Sequence, residues 1–124
     1  MQYPFLKLPD GSRVPLSQVF EISVNGTNMH ITTATCVHKF KGINPELIKA
    51  LPLTAYGFVQ CLNNTGHWLN LNLVDSFSII ENDRSSEFTL IATYKVRRGR
   101  RSPWITIGQK TVDKINDLSI SLKP

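Results

Sequence analysis

The sequence predicts a mostly β fold, built of antiparallel strands with two short helices. Three observations carry that prediction. Asn25-Gly26 separates two extended runs, as a tight hairpin turn does. Phe88, Leu90, Ala92, Tyr94 and Val96 alternate with Thr89, Ile91, Thr93 and Lys95, the period of a half-buried strand. Only two brief stretches have helical spacing, which leaves no crossovers of the length that parallel strands require.

Taken in order, Val19 to Val24 reads as a strand, and Asn25-Gly26 supplies residues that tolerate positive φ. Met29 to Thr33 is the returning strand. Thr35 to Phe40, rich in β-branched and aromatic residues, continues the meander. The first helix follows, with Asn44 as its N-cap, Pro45 in the first position and Ile43 stapled onto Ile48. It should stop near Leu51, before Pro52. Phe58 to Leu62 is a strand, and Asn63-Asn64-Thr65-Gly66 is a run of turn formers expected to project a polar loop. His67 to Leu71 leads into Leu73 to Ile80. Trp104 to Ile107 is extended, so the basic run before it should flank a hairpin connection. Val112, Ile115 and Leu118 recur at helical spacing from about Lys110, and Ser119 to Leu122 reads as extended. That makes about seven strands in all, with no internal repeat and no linker.

At 124 residues the chain has the length of one domain, 1–124, with enough apolar residues to bury a core. No run approaches the roughly 18 uncharged apolar residues of a membrane span, and Met1 to Pro9 lacks the apolar core of a secretion signal, so a cytoplasmic protein is expected. Cys36 and Cys61 are then read as buried free thiols, and the sequons at Asn25 and Asn63 as chance.

The net charge is +5, and Lys95, Arg97, Arg98, Arg100 and Arg101 fall within seven residues while the acids are dispersed. Such a cluster suits a polyanion, although a solvated hairpin tip has the same composition. The sequence contains no phosphate-binding glycine loop, no nucleophile elbow and no paired acidic set, so no enzyme activity is expected. Asp75, Glu81, Asp83 and Glu87 are read as surface carboxylates. His30, Cys36, His38, Cys61 and His67 have the chemistry of zinc ligands but match no standard spacing, and packed residues explain them better. Neither a metal nor another cofactor is expected. Trp68 and Trp104 suit base stacking or core packing.

The order of elements resembles the LytTR DNA-binding domain of bacterial transcriptional regulators. The resemblance runs over about residues 13–118. It rests on the short helix Asn44 to Pro52 and on the aromatic-led strand, polar turn and hydrophobic stretch from Phe58 to Val74, in which Asn70 matches the family's terminal Asn and Val74 its isoleucine. The extended segment Ile105 to Lys110, followed by a terminal helix, completes it. It implies an elongated β domain that presents loops to successive grooves of duplex DNA. By position these are the hairpin around Asn25 to Asn28, the turn at Asn63 and Asn64, and Gly108 to Lys110. Asn28, Asn63, Asn64 and Gln109 have amides that can read adenine; Lys110, Arg97, Arg98, Arg100 and Arg101 can hold phosphates.

This chain departs from the family's pattern where Gln60 and Leu62 stand in place of Arg and His, and where Gly108-Gln109 replaces Ser-Arg. Its turn is also two residues longer, at Thr65 and Gly66. The implied function is sequence-selective binding of double-stranded DNA in transcriptional regulation, as a homodimer or with a separate signalling partner and without a membrane. Two alternatives stay open: a protein interaction module on the same fold, and a nonspecific nucleic-acid binder using the basic run.

Overall fold

The computed structural model describes residues 4–83, 86–94 and 105–122. Among them are ten strands: β1 (Phe5–Lys7), β2 (Arg13–Pro15), β3 (Val19–Asn25), β4 (Asn28–Thr33), β5 (Val37–Phe40), β6 (Phe58–Gln60), β7 (Trp68–Asn70), β8 (Val74–Glu81), β9 (Phe88–Tyr94) and β10 (Ile105–Ile107). The helices are α1 (Pro45–Lys49) and α2 (Gln109–Asp117). Every pairing is antiparallel: a β1-β2 hairpin, a five-stranded sheet in the order β5-β4-β3-β7-β6, and a three-stranded sheet in the order β10-β9-β8.

The five-stranded sheet is covered on both faces. On one face Ile22, Ile31, Phe58 and Trp68 pack with Leu8, Val14 and Leu16 from the first hairpin and with Ile48 from α1. On the other, Phe20, Val59, Cys61 and Leu69 meet Leu90, Ala92, Ile105 and Ile107 of the smaller sheet and Val112 of α2. Strand β3 reaches both cores because its register with β4 slips by one residue between Val19 and Glu21. The extra residue, Phe20, turns its side chain to the second core while Val19 and Ile22 keep to the first.

Local chemistry explains most boundaries. Asn44 Oδ1 accepts the Glu46 amide at 3.1 Å, and Pro45 opens α1, as the sequence predicts. The helix ends at Lys49, two residues before the expected limit. Asn70 closes β7 and is 1% exposed. Its Nδ2 donates to the carbonyls of Leu16 (3.2 Å) and Val19 (3.0 Å), and its Oδ1 accepts the Asn72 amide (3.0 Å). One buried amide thus ties together three backbone groups from two segments of the chain.

Several expectations need correction. The β1-β2 hairpin is absent from the sequence reading because its strands are three residues long and owe their form to Leu8, Val14 and Leu16 docking on the core. Strand β5 begins at Val37, since Thr33 and Cys36 close a turn (amide to carbonyl, 2.9 Å). Residues 119–122 form no strand, and Leu118 is exposed past the end of α2. Cys36, expected to be buried, is exposed in the turn before β5; Cys61 is buried as read.

Candidate functional site

Asn25 pairs with Asn28 at the end of the β3-β4 ladder, leaving Gly26-Thr27 as a two-residue loop. Gly26 has φ +64° and no other residue type in the described chain has positive φ, so the positive angle falls at the first central position alone, the pattern of a type II′ turn. Asn28 is exposed beside this tip.

Between β6 and β7 the chain turns through 62–66. Backbone bonds from Cys61 N–H to the His67 carbonyl (2.9 Å) and from His67 N–H to the Asn64 carbonyl (3.0 Å) fix this turn, and Asn63, Asn64 and Thr65 stand exposed on it. Gly66 lies so close to β3 that an added Cβ would sit 3.2 Å from the Val24 Cβ. That approach sets the turn beside the end of the β3-β4 hairpin.

The third segment begins α2. Gly108 is the N-cap, extended and without a side chain to accept the first amides, so the N–H groups of the first turn have no side-chain cap. Gln109 and Lys110 are exposed there. Leu62 N–H donates to the Thr106 carbonyl (2.7 Å), and Asn63 Nδ2 donates to Thr106 Oγ1 (3.3 Å). An added Cβ on Gly108 would touch the Leu62 side chain at 3.7 Å. The 62–66 turn therefore stands between the other two segments and touches the elements that carry both.

The candidate side chains differ in what already occupies them. Asn63 accepts from the Cys61 thiol (3.0 Å) as well as donating to Thr106. Gln109 Nε2 donates to Asp113 Oδ1 one helical turn on (2.8 Å). Lys110 forms no ion pair among the described residues. Gln60, which stands where the resembled family has a cation, is structural: its Nε2 donates to the carbonyls of Thr65 (2.6 Å) and Lys49 (3.1 Å), holding the turn against α1. Arg97, Arg98, Arg100 and Arg101 lie outside the described residues, as do Lys95 and Trp104.

Beneath the turn is a polar row that sequence reasoning missed. Glu21 pairs across strands with Leu69, so Glu21 and His67 are diagonal neighbours on one face; Cys61, opposite His67, shares that face. His67 Nε2 meets Glu21 Oε2 at 2.5 Å, with the two side chains 10% and 14% exposed. Burial pushes the imidazole down, but hydrogen bonds to Cys61 and Glu21 and their negative charge outweigh it and raise His67 to about 9. Burial pushes the Cys61 thiol up, yet the His67 imidazole and hydrogen bonds from the backbones of Thr106, Asn63 and Asn64 leave it below the ordinary cysteine value. The row can stabilise a negative sulfur directly under the loop.

The other candidates resolve differently. Trp68 is buried, with its Nε1 donating to the Ile48 carbonyl (3.0 Å), so it packs the core. Cys36 Sγ and His38 Nε2 are 3.4 Å apart on the surface, well away in sequence from the Cys61 row. Among the described residues no three His, Cys, Asp or Glu side chains gather as a metal site. Asp75, Glu81 and Asp83 are exposed and Glu87 is partly so. No helix among the described residues is long and apolar enough to cross a membrane.

No protein-family model matches the chain, and no curated protein matches it. Among solved structures it is similar to a LytTr DNA-binding domain from Bacillus cereus. The two are 21% identical, with 92% of this chain and 93% of that chain covered, at a TM-score of 0.49.

Proposed function

We propose that this protein binds double-stranded DNA sequence-selectively in transcriptional regulation, through three loop segments presented to the grooves. The observation that carries the reading is the convergence of the 25–28, 62–66 and 108–110 segments, which the Gly66–Val24 approach and the Leu62–Thr106 and Asn63–Thr106 bonds hold in fixed relation. Amides on fixed loops can read base edges, whereas cations mainly set affinity and register.

Asn64 and Asn28 are the amides best placed to read bases, because Asn63 and Gln109 already make internal bonds. Lys110, at the uncapped start of α2, takes a phosphate together with the first-turn N–H groups. The sequence adds Arg97, Arg98, Arg100 and Arg101 between β9 and β10 as phosphate contacts, in keeping with the net charge of +5. The protein acts in the cytoplasm, as a homodimer or with a separate signalling partner, and carries no catalytic role in this reading.

Selection from a random duplex library tests it, followed by titration of the winning and a scrambled duplex at two salt concentrations. Specific binding predicts a preference of about a thousandfold or more. Asn64→Ala should erode that preference, while Lys110→Gln should weaken both duplexes alike and flatten the salt dependence by about one phosphate contact. Equal binding of both duplexes would leave only the basic run at work. Binding to neither would favour a protein interaction module.

A further inference from the structure

Cys61 is the one sulfur in the described structure that combines burial, an imidazole held by a carboxylate, and a route to solvent. A cavity of about 460 Å³ opens beside it, lined by Phe58, Leu62, Lys110, Lys114 and Ile115 among others, and Cys61 forms part of its wall. The sulfur donates to Asn63 Oδ1 at 3.0 Å and stands opposite His67 across the β6-β7 ladder, where the imidazole and the backbones of Thr106, Asn63 and Asn64 hold the thiol below its ordinary value against burial. Glu21 Oε2 holds Nε2 of His67. A nucleophile beside an imidazole that a third group orients is the arrangement that activates thiols.

We propose that Cys61 is a modification site for small peroxide-class oxidants, with His67 and Glu21 as positioning residues that stabilise the thiolate and supply the proton. The thiolate sulfur attacks one peroxide oxygen, forming the S–O bond as the O–O bond breaks. Sulfur is oxidised by two electrons and the peroxide is reduced. The departing hydroxide takes the proton from the His67 imidazolium and leaves as water, so the products are a sulfenic acid at Cys61 and a neutral imidazole.

Hydrogen peroxide fits the cavity easily, and Lys110 and Lys114 on its α2 wall make the entrance electropositive. His67 on β7 faces the sulfur with Glu21 behind it on β3, beside the neutral Thr106 and Asn63, while the lysines of α2 line the cavity. His67 favours the thiolate and Glu21 acts through it, while Asn63 Oδ1, which accepts from the thiol, opposes it. The added oxygen displaces Asn63 Oδ1 from its present contact, so oxidation rearranges the exposed turn above it. The assignment does not rest on DNA binding, and its readout uses none.

The test is hydrogen peroxide treatment of the intact protein in the presence of dimedone, with the adduct located by peptide mass mapping and Cys36 as the internal comparator. Cys61 should label about tenfold faster than Cys36 at pH 7. An ordinary thiol loses about tenfold in rate per pH unit below about 8.5, and Cys61 should hold its rate to lower pH than that. Glu21→Gln should slow labelling several-fold and move its pH profile upward. If that variant does not fold, the wild-type pH profile alone decides. Labelling of Cys36 with Cys61 untouched, or a Cys61 profile of ordinary shape, overturns the proposal; so does labelling that Glu21→Gln leaves unchanged.

Discussion

Replacing Glu21 with Gln keeps the size and a hydrogen-bonding oxygen but removes the charge that His67 faces. The imidazole rises from 6.5 to about 9 in the folded protein, which at about 1.36 kcal/mol per pKa unit corresponds to roughly 3 kcal/mol left to Cys61 and Glu21 after they have offset burial. A histidine whose folded pKa is raised stabilises fully below its unfolded value and loses that contribution as pH climbs to the folded one. The window is therefore pH 6.5 to about 9. Cys61 opposes this, because a lowered thiol pKa contributes above the ordinary thiol value and loses its contribution as pH falls through the folded value. The His67 displacement is the larger, so wild-type stability should fall with rising pH across the window.

If Glu21 supplies about half of the coupling, Glu21→Gln costs on the order of 1 to 2 kcal/mol at pH 6 and close to nothing at pH 9.5. Urea unfolding of both proteins at the two pH values measures this, with an unchanged denaturant slope as the check that folding stays two-state. A variant equally destabilised at both values, or a wild-type profile flat from pH 6 to 9.5, would refute the reasoning. The same row would then be held by packing rather than charge.

Other outcomes follow from single residues. Asn70→Ala removes one hydrogen bond from each of the Leu16 and Val19 carbonyls and the Asn72 backbone N–H, and should cost about 2 to 4 kcal/mol by chemical denaturation. Gly57 has φ +87°, and an added Cβ would lie 2.4 Å from the side-chain Nδ2 of Asn72, which would have to give up its bond to the Tyr56 carbonyl. Gly57→Ala should therefore lose more than the roughly 1 kcal/mol of the left-handed conformation alone, with thermal unfolding as the readout. Asn44→Ala removes the cap of α1 and should cost about 1 kcal/mol, visible as faster amide exchange at Glu46.

The hairpin at Gly26, the strand 88–94 and the start of α1 were legible because each depends on chemistry within a few residues: a turn glycine, a two-residue alternation, and an Asn-Pro pair. The polar row was not. Strands read as 58–62 and 67–71 with a four-residue turn would set Leu62 opposite His67, whereas the turn spans 62–66 and brings Cys61 there instead. A slip of one residue exchanges the faces of a strand, so His67 and Cys61 each looked like an isolated packed residue. Glu21 lies 46 positions from His67 and meets it only through the β3-β7 pairing, which no local pattern announces. Gln60 and Asn63 show the reverse limit. Their amide chemistry is plain in sequence, but internal bonds to Thr65, Lys49 and Thr106 already occupy them.

The slip at Phe20 bears on how the protein comes apart. One strand supplies Val19 and Ile22 to one core and Phe20 to the other, so β3 cannot leave either without vacating both. Local opening should then stay confined to the sheet margins, at β5 and the far edge of β8, while the amides of β3 and its neighbour β7 exchange only when the whole described sheet opens. A single backbone irregularity makes two hydrophobic clusters share one fate.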